Sequence, residues 1–151
     1  MKKIKFILLS FVIGFITMII IDVILVIGFL IIIKNIPWTP YTIQYVLPIL
    51  HLISETISIL ISCILVGWLI KEKGWLYGFL FSFLYFLYFL LEGGIKNSYS
   101  YYTGHKTILL RISLLYLTTW ISAGILGGLI GEIIRTGQRK YIPTETQQTN
   151  Q

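Results

Sequence analysis

Apolar residues fill four long blocks of this chain, at positions 6–33, 45–70, 74–91 and 107–134, and polar residues collect between them. Each block is near or above the ~18–20 residues with which a helix crosses a hydrocarbon core of ~30 Å. The pattern predicts an all-α integral membrane protein, a four-transmembrane-helix bundle occupying residues 1–134. The connecting segments 34–44, 71–73 and 92–106 are too short to bury a core of their own, so they belong to the same domain. Residues 135–151 read as a polar, disordered cytoplasmic tail.

The second block, YVLPILHLISETISILISCILVGWLI, is apolar enough to cross a bilayer yet carries His51, Ser54, Glu55, Ser58 and Ser62. His51, Glu55, Ser58 and Ser62 recur at i, i+4, i+7 and i+11, which is one face of a helix. Such a stripe has to face protein or water, because lipid leaves polar groups without partners. In the first block Gly14, Met18 and Asp22 stack at i, i+4 and i+8, so Asp22 is expected on a face that approaches a neighbouring helix.

Prolines at 37 and 40 end the first block, and Trp38, Tyr41 and Tyr45 supply an aromatic anchor at the outer interface. The turn Lys71-Glu72-Lys73-Gly74 is so short that the second and third blocks must form an antiparallel hairpin. The third block is rich in Phe and Tyr, expected as lipid-facing bulk. Gly74, Gly78 and Ser82 recur every fourth residue there, the small-residue spacing that lets helices approach closely. The fourth block carries two overlapping GxxxG frames, Gly124/Gly128 and Gly127/Gly131, which read as helix-packing surfaces.

Composition and charge sharpen this picture. Of 151 residues, 56% are hydrophobic and 12% charged, about half the charge of a soluble domain. Lys2, Lys3, Lys5, Lys71, Lys73, Arg135, Arg139 and Lys140 fall on one side of a four-span topology, against Lys34, Lys96 and Lys106 in the opposite loops. Eight against three places both termini in the cytoplasm by the positive-inside rule. The net charge of +6 is therefore topological, and no nucleic-acid partner is expected. The first apolar run is too long for a signal peptide and lacks a small-residue cleavage site, so it reads as a retained span. Cys63 is the single cysteine, which excludes an intramolecular disulfide and marks it as a small packing residue.

With ~1.5 Å rise per residue, Asp22, Glu55, Tyr85, Thr118 and Thr119 come to about 10–12 Å below the outer boundary. His51, Tyr88 and Arg111 lie shallower, whereas the glycines of spans two to four lie in the inner half. The expected bundle is packed tightly on the cytoplasmic side, with polar groups from all four spans meeting in the outer half. Asp22, His51, Glu55 and Arg111 are the candidates for a ligand site or ion relay. Each acid costs about 2.5–3.5 kcal/mol at such a depth. Two nearby carboxylates do not readily both ionise, so at least one is expected to hold its proton or to pair with Arg111 or His51.

His51-x-x-x-Glu55 sets two metal-ligand types on one helical face, but with His105 in a loop as the one other histidine no metal centre is expected. GxSxG, HExxH, Walker A and GxGxxG patterns are missing from the sequence. No catalytic residue, cofactor or enzymatic activity is expected.

The segment Gly67-Trp68-Leu69-Ile70-Lys71-Glu72-Lys73-Gly74-Trp75-Leu76-Tyr77-Gly78, with Tyr85, and the segment from Ala123 to Gly131 resemble the YrzE-like family. These are small four-span membrane proteins of Gram-positive bacteria. The resemblance covers roughly residues 42–134 and implies a four-span fold in a bacterial plasma membrane; it brings no activity or catalytic residue. Two functions fit. One is a non-enzymatic accessory or assembly subunit, whose glycine-rich faces and acids pack against a second copy or a larger membrane partner. The other is a small oligomeric transporter or channel, coupled to protons or cations through Asp22 and Glu55.

Overall fold

The computed structural model describes residues 2–34, 39, 46–70, 72–91 and 106–140. They form four helices: α1 (Lys2–Ile33), α2 (Leu47–Leu69), α3 (Gly74–Leu91) and α4 (Lys106–Lys140). Each is long and apolar enough to cross a membrane, and the described residues contain no strand. Pro48 stands in the first turn of α2, where its missing N–H breaks no helical bond. The aromatic anchor at Trp38, Tyr41 and Tyr45 lies outside the described residues, as do Lys96 and His105.

The α2–α3 hairpin opens on one side to receive α4, which packs extensively against both. On its other side it carries α1, which packs mainly against α2. Phe11 and Phe15 of α1 also reach the rings of Phe81 and Tyr88 on α3, at centroid separations of 5.8 and 6.2 Å. On α1 a narrow stripe of Ser10, Gly14 and Met18 is buried, with Ile7, Phe11 and Asp22 partly so, a period of three to four residues. Toward its far end Ile21, Leu25, Val26 and Phe29 are half-buried and Ile33 is buried, while most of the remaining Ile, Leu, Val and Phe of α1 are exposed.

Glycine makes the fit of α4 into the hairpin. The two GxxxG frames read two different helices. A Cβ on Gly124 would lie 2.6 Å from the Gly78 carbonyl oxygen of α3, and one on Gly128 would collide with the Gly74 carbonyl oxygen. On the adjoining face, a Cβ on Gly127 would lie 2.5 Å from the Leu60 oxygen of α2. One on Gly131 would lie 2.7 Å from the Trp68 nitrogen. Each of these positions faces backbone, which cannot rotate aside, with Ser82 Oγ crowding Gly124 and Cys63 Cβ crowding Gly127 as well, so a side chain fits only if the helices move apart. Gly74, Gly78, Gly124, Gly127, Gly128 and Gly131 thus serve as helix-packing positions within this chain, where the four-residue spacing of the glycines brings α4 against both arms of the hairpin.

Polar contacts fix the hairpin end. Lys73 takes a left-handed backbone conformation (φ 56°) between α2 and α3, and its carbonyl accepts from Leu76 N–H at 2.9 Å. From α4, Glu132 Oε2 accepts from the Gly74 N–H at 2.8 Å, at the start of α3. One turn on, Arg135 Nη1 donates to the Leu69 carbonyl at 2.7 Å and also to that of Trp68, at the end of α2. An acid thus meets a helix N-terminus and a base a C-terminus, each favourable by about 0.3–1 kcal/mol through the helix dipole. These contacts keep Arg135 within α4, which runs on to Lys140, whereas the polar tail was expected from 135 onward. Residues 141–151 lie outside the described residues.

Several α3 aromatics are not lipid-facing bulk. Tyr85, Phe86 and Phe89, with Tyr116 of α4, surround the fully buried Trp120 at centroid separations of 5.0, 6.2, 5.1 and 5.1 Å. The other face of α3, including Phe83, Leu84, Leu87 and Tyr88, remains exposed. Cys63 is fully buried at the centre, its Sγ 3.7 Å from the Gly78 oxygen, as a small packing residue should be.

Replacing Gly124 or Gly128 with Ala should destabilise the fold by about 1–3 kcal/mol, the usual cost of overpacking. Gly28→Ala is the control, because a Cβ added there would meet nothing within 4 Å and alanine is the better helix former. Equilibrium unfolding in mixed micelles, followed by helical circular dichroism, measures both.

Candidate functional site

Away from the hairpin end, three helices converge on a set of buried polar side chains. Ser54 and Glu55 are neighbours on α2, about 100° apart around the helix, and so reach different partners. Ser54 Oγ donates to Asp22 Oδ1 of α1 at 2.6 Å. Glu55 Oε1 accepts from the Tyr85 hydroxyl of α3 at 3.2 Å. One turn back along α2, His51 Nε2 lies 3.4 Å from the same Glu55 oxygen. Two adjacent residues of one helix therefore tie α1, α2 and α3 together, with a carboxylate in each tie.

Burial differs sharply across the set. Glu55 is 5% exposed and Ser54 fully buried, whereas Asp22 is half-buried at the edge between α1 and α2. The His51 side chain is 52% exposed, so the site has an open end at the imidazole and a closed end at Glu55. Glu55 Oε2, Ser62 Oγ and Trp120 Nε1 are buried without a hydrogen-bond partner among the described residues. Among the described side chains His51 is the one basic group in ion-pair range of either acid. Arg111 is part of α4, and its side chain lies outside the described residues.

The expected stripe lines the inside of the bundle. Glu55, Ser58 and Ser62 are buried, and Ser58 Oγ donates to the Ser54 carbonyl at 2.8 Å. The expected contribution of α4 is different. Thr118 and Thr119 donate to the Leu114 and Leu115 carbonyls of their own helix at 2.9 and 2.7 Å, the local bonding that competes with contacts between helices. Trp120 takes their place: its ring packs on Tyr85, whose hydroxyl holds Glu55.

Ser54 lies off the i, i+4, i+7 stripe and gave no signal beyond being polar within an apolar run. Trp120 gave none, since a single Trp in an apolar helix carries no periodicity. No three His, Cys, Asp or Glu side chains among the described residues are grouped to hold a metal ion. The chain matches no protein-family model, no curated protein and no solved structure.

The Ser54–Asp22 bond can be measured by a double-mutant cycle of Ser54→Ala and Asp22→Ala. Membrane-embedded hydrogen bonds couple by about 0.6 kcal/mol on average and about 1.7 at most, and the expected value lies in that range. Strictly additive effects on unfolding would show that the bond contributes nothing.

Proposed function

We propose that this is a multi-pass protein of a bacterial plasma membrane with both termini in the cytoplasm. In this reading it works as a small oligomeric transporter or channel that exchanges a proton or monovalent cation at Asp22 and Glu55. The observation that carries the reading is the site itself. Glu55 is a carboxylate 5% exposed, with one oxygen bonded by Tyr85 and the other without a partner among the described residues. Asp22 lies on the neighbouring helix, bonded to the residue next to it. An acid within a membrane span keeps its place only if its charge is balanced, and a proton or a small cation can do this reversibly. His51, exposed at the open end and in contact with Glu55, is placed to relay a proton between water and the closed end. The YrzE-like resemblance supports the four-span architecture and the plasma membrane, and the basic residues at the hairpin and termini support the orientation.

An accessory or assembly subunit without enzymatic activity is the second reading, and α1 favours it. That helix presents a large share of its Ile, Leu, Val and Phe side chains as exposed apolar surface, among them Val12, Ile16, Ile20, Ile24 and Ile31. A second copy or a larger membrane protein can cover such a face, with Asp22 at its edge. Stoichiometric recovery of a larger membrane protein with the tagged chain, from native membrane in mild detergent, would select this reading.

Proteoliposomes test the first reading. With an internal pH-sensitive dye and an imposed sodium or potassium gradient, the wild type should change internal pH faster than empty vesicles. Glu55→Gln keeps the shape and the Tyr85 contact but cannot ionise, and should reduce that rate at least about tenfold, the scale on which one positioned acid–base group contributes. Equal rates for wild type, variant and empty vesicles would discard transport.

A further inference from the structure

The Asp22–Glu55 site leaves one feature of the hairpin end unused. Between the start of α1 and the α2–α3 turn lies a cavity of about 600 Å³, lined by Lys3, Phe6, Ile7, Ile70, Glu72, Lys73 and Tyr77. Its two kinds of wall are segregated by sequence. Phe6 and Ile7 come from the first turns of α1 and Ile70 caps the end of α2, while Lys3 precedes them on α1 and Glu72 and Lys73 lie in the turn. Trp68 and Trp75 stand exposed on either side of the turn, the position aromatic side chains take at the boundary of a bilayer.

We infer that this cavity binds one phospholipid with an anionic headgroup. The headgroup phosphate lies between the ammonium groups of Lys3 and Lys73, and an acyl chain lies along Phe6, Ile7 and Ile70. Charge complementarity selects the anion, since the wall carries two lysines against the single acid Glu72. Among the described residues Lys73 has no acidic partner, and Lys3 has only an exposed pair with Glu72 at 3.5 Å. Exposed pairs of this kind contribute little, so a phosphate can take over Lys3 without a large loss. Tyr77 lines the same cavity and carries a hydroxyl, a further hydrogen-bond donor. Lys73 also holds its ammonium there at a cost. Its left-handed backbone (φ 56°) suits glycine, so the lysine brings a charge to this place where a less strained residue would fit. Basic pockets between membrane helices at the cytoplasmic face are where anionic headgroups collect. The inference requires that the helices cross a bilayer; it is independent of any transport through Asp22 and Glu55.

The test is native mass spectrometry of the full chain, delipidated in mild detergent. Phosphatidylglycerol and phosphatidylcholine of identical acyl chains are offered separately. The wild type should retain phosphatidylglycerol about tenfold more tightly, since each lysine near an anionic headgroup adds attraction. Lys73→Gly removes the ammonium while easing the backbone, so it folds at least as well, and its preference should fall several-fold. Lys3→Gln with Lys73→Gly should abolish the preference. Lys5→Gln, outside the cavity, should leave it unchanged. Equal retention of the two lipids by wild type, or an equal loss in Lys5→Gln, would overturn the assignment. Displacement of phosphatidylglycerol by millimolar inorganic phosphate would also overturn it, because the site would then recognise phosphate without the acyl chain.

Discussion

The close approach of α4 to the hairpin governs the rest of this structure. The four helices are long and apolar enough to cross a membrane, and for helices in a bilayer water supplies no hydrophobic drive, leaving van der Waals contact and polar bonds as the cohesion. Dispersion falls steeply with distance, and contact at backbone range is available only where side chains are missing. Gly124 and Gly128 provide it toward α3, and Gly127 and Gly131 toward α2. Because both frames lie on one helix, the angle between α2 and α3 is set by the face-to-face offset of two glycine pairs. Glu132 and Arg135 extend α4 past the glycines and complete the two helix ends that the hairpin turn exposes.

This closure places the polar end. With the hairpin end fixed, α2 and α3 leave it in one register, which brings Tyr85 to Glu55. Trp120, carried by α4, backs the Tyr85 ring. The first helix joins by a different principle. It has no glycine-to-backbone contact with its neighbours: a Cβ on Gly14 would meet the side chains of Val66 and Phe81, which can shift. Its register depends instead on a thin stripe of side chains and on the bond between Asp22 and Ser54. A polar bond of modest strength therefore has more influence on α1 than a comparable bond would have among α2, α3 and α4.

Much of this was legible in the residues. Apolar block lengths gave four helices, the four-residue turn at Lys71–Gly74 gave the hairpin, and the i, i+4, i+7 spacing of Glu55 and the serines gave a buried stripe. What stayed hidden depended on relations between helices. GxxxG frames announce a close contact without saying whether the neighbour is another chain or this one. Ser54 and Trp120 acquire roles only from what stands opposite them. Thr118 and Thr119 have the right depth and the wrong partners, since a hydroxyl one turn from a carbonyl of its own helix bonds there first. Arg135 reads in sequence as a topological charge, yet its geometry makes it a cap for the end of α2.

The meeting of Asp22 and Ser54 across α1 and α2 is the most exposed part of this account, and disulfide trapping in native membranes measures it directly. In a Cys63→Ala background, Asp22→Cys paired with Ser54→Cys should cross-link rapidly under mild oxidation. Asp22→Cys paired with Ile53→Cys, on the exposed side of α2, should not. A cross-link with Ile53→Cys instead would rotate α1 or α2 away from the arrangement described, and the carboxylate site would no longer exist as a unit.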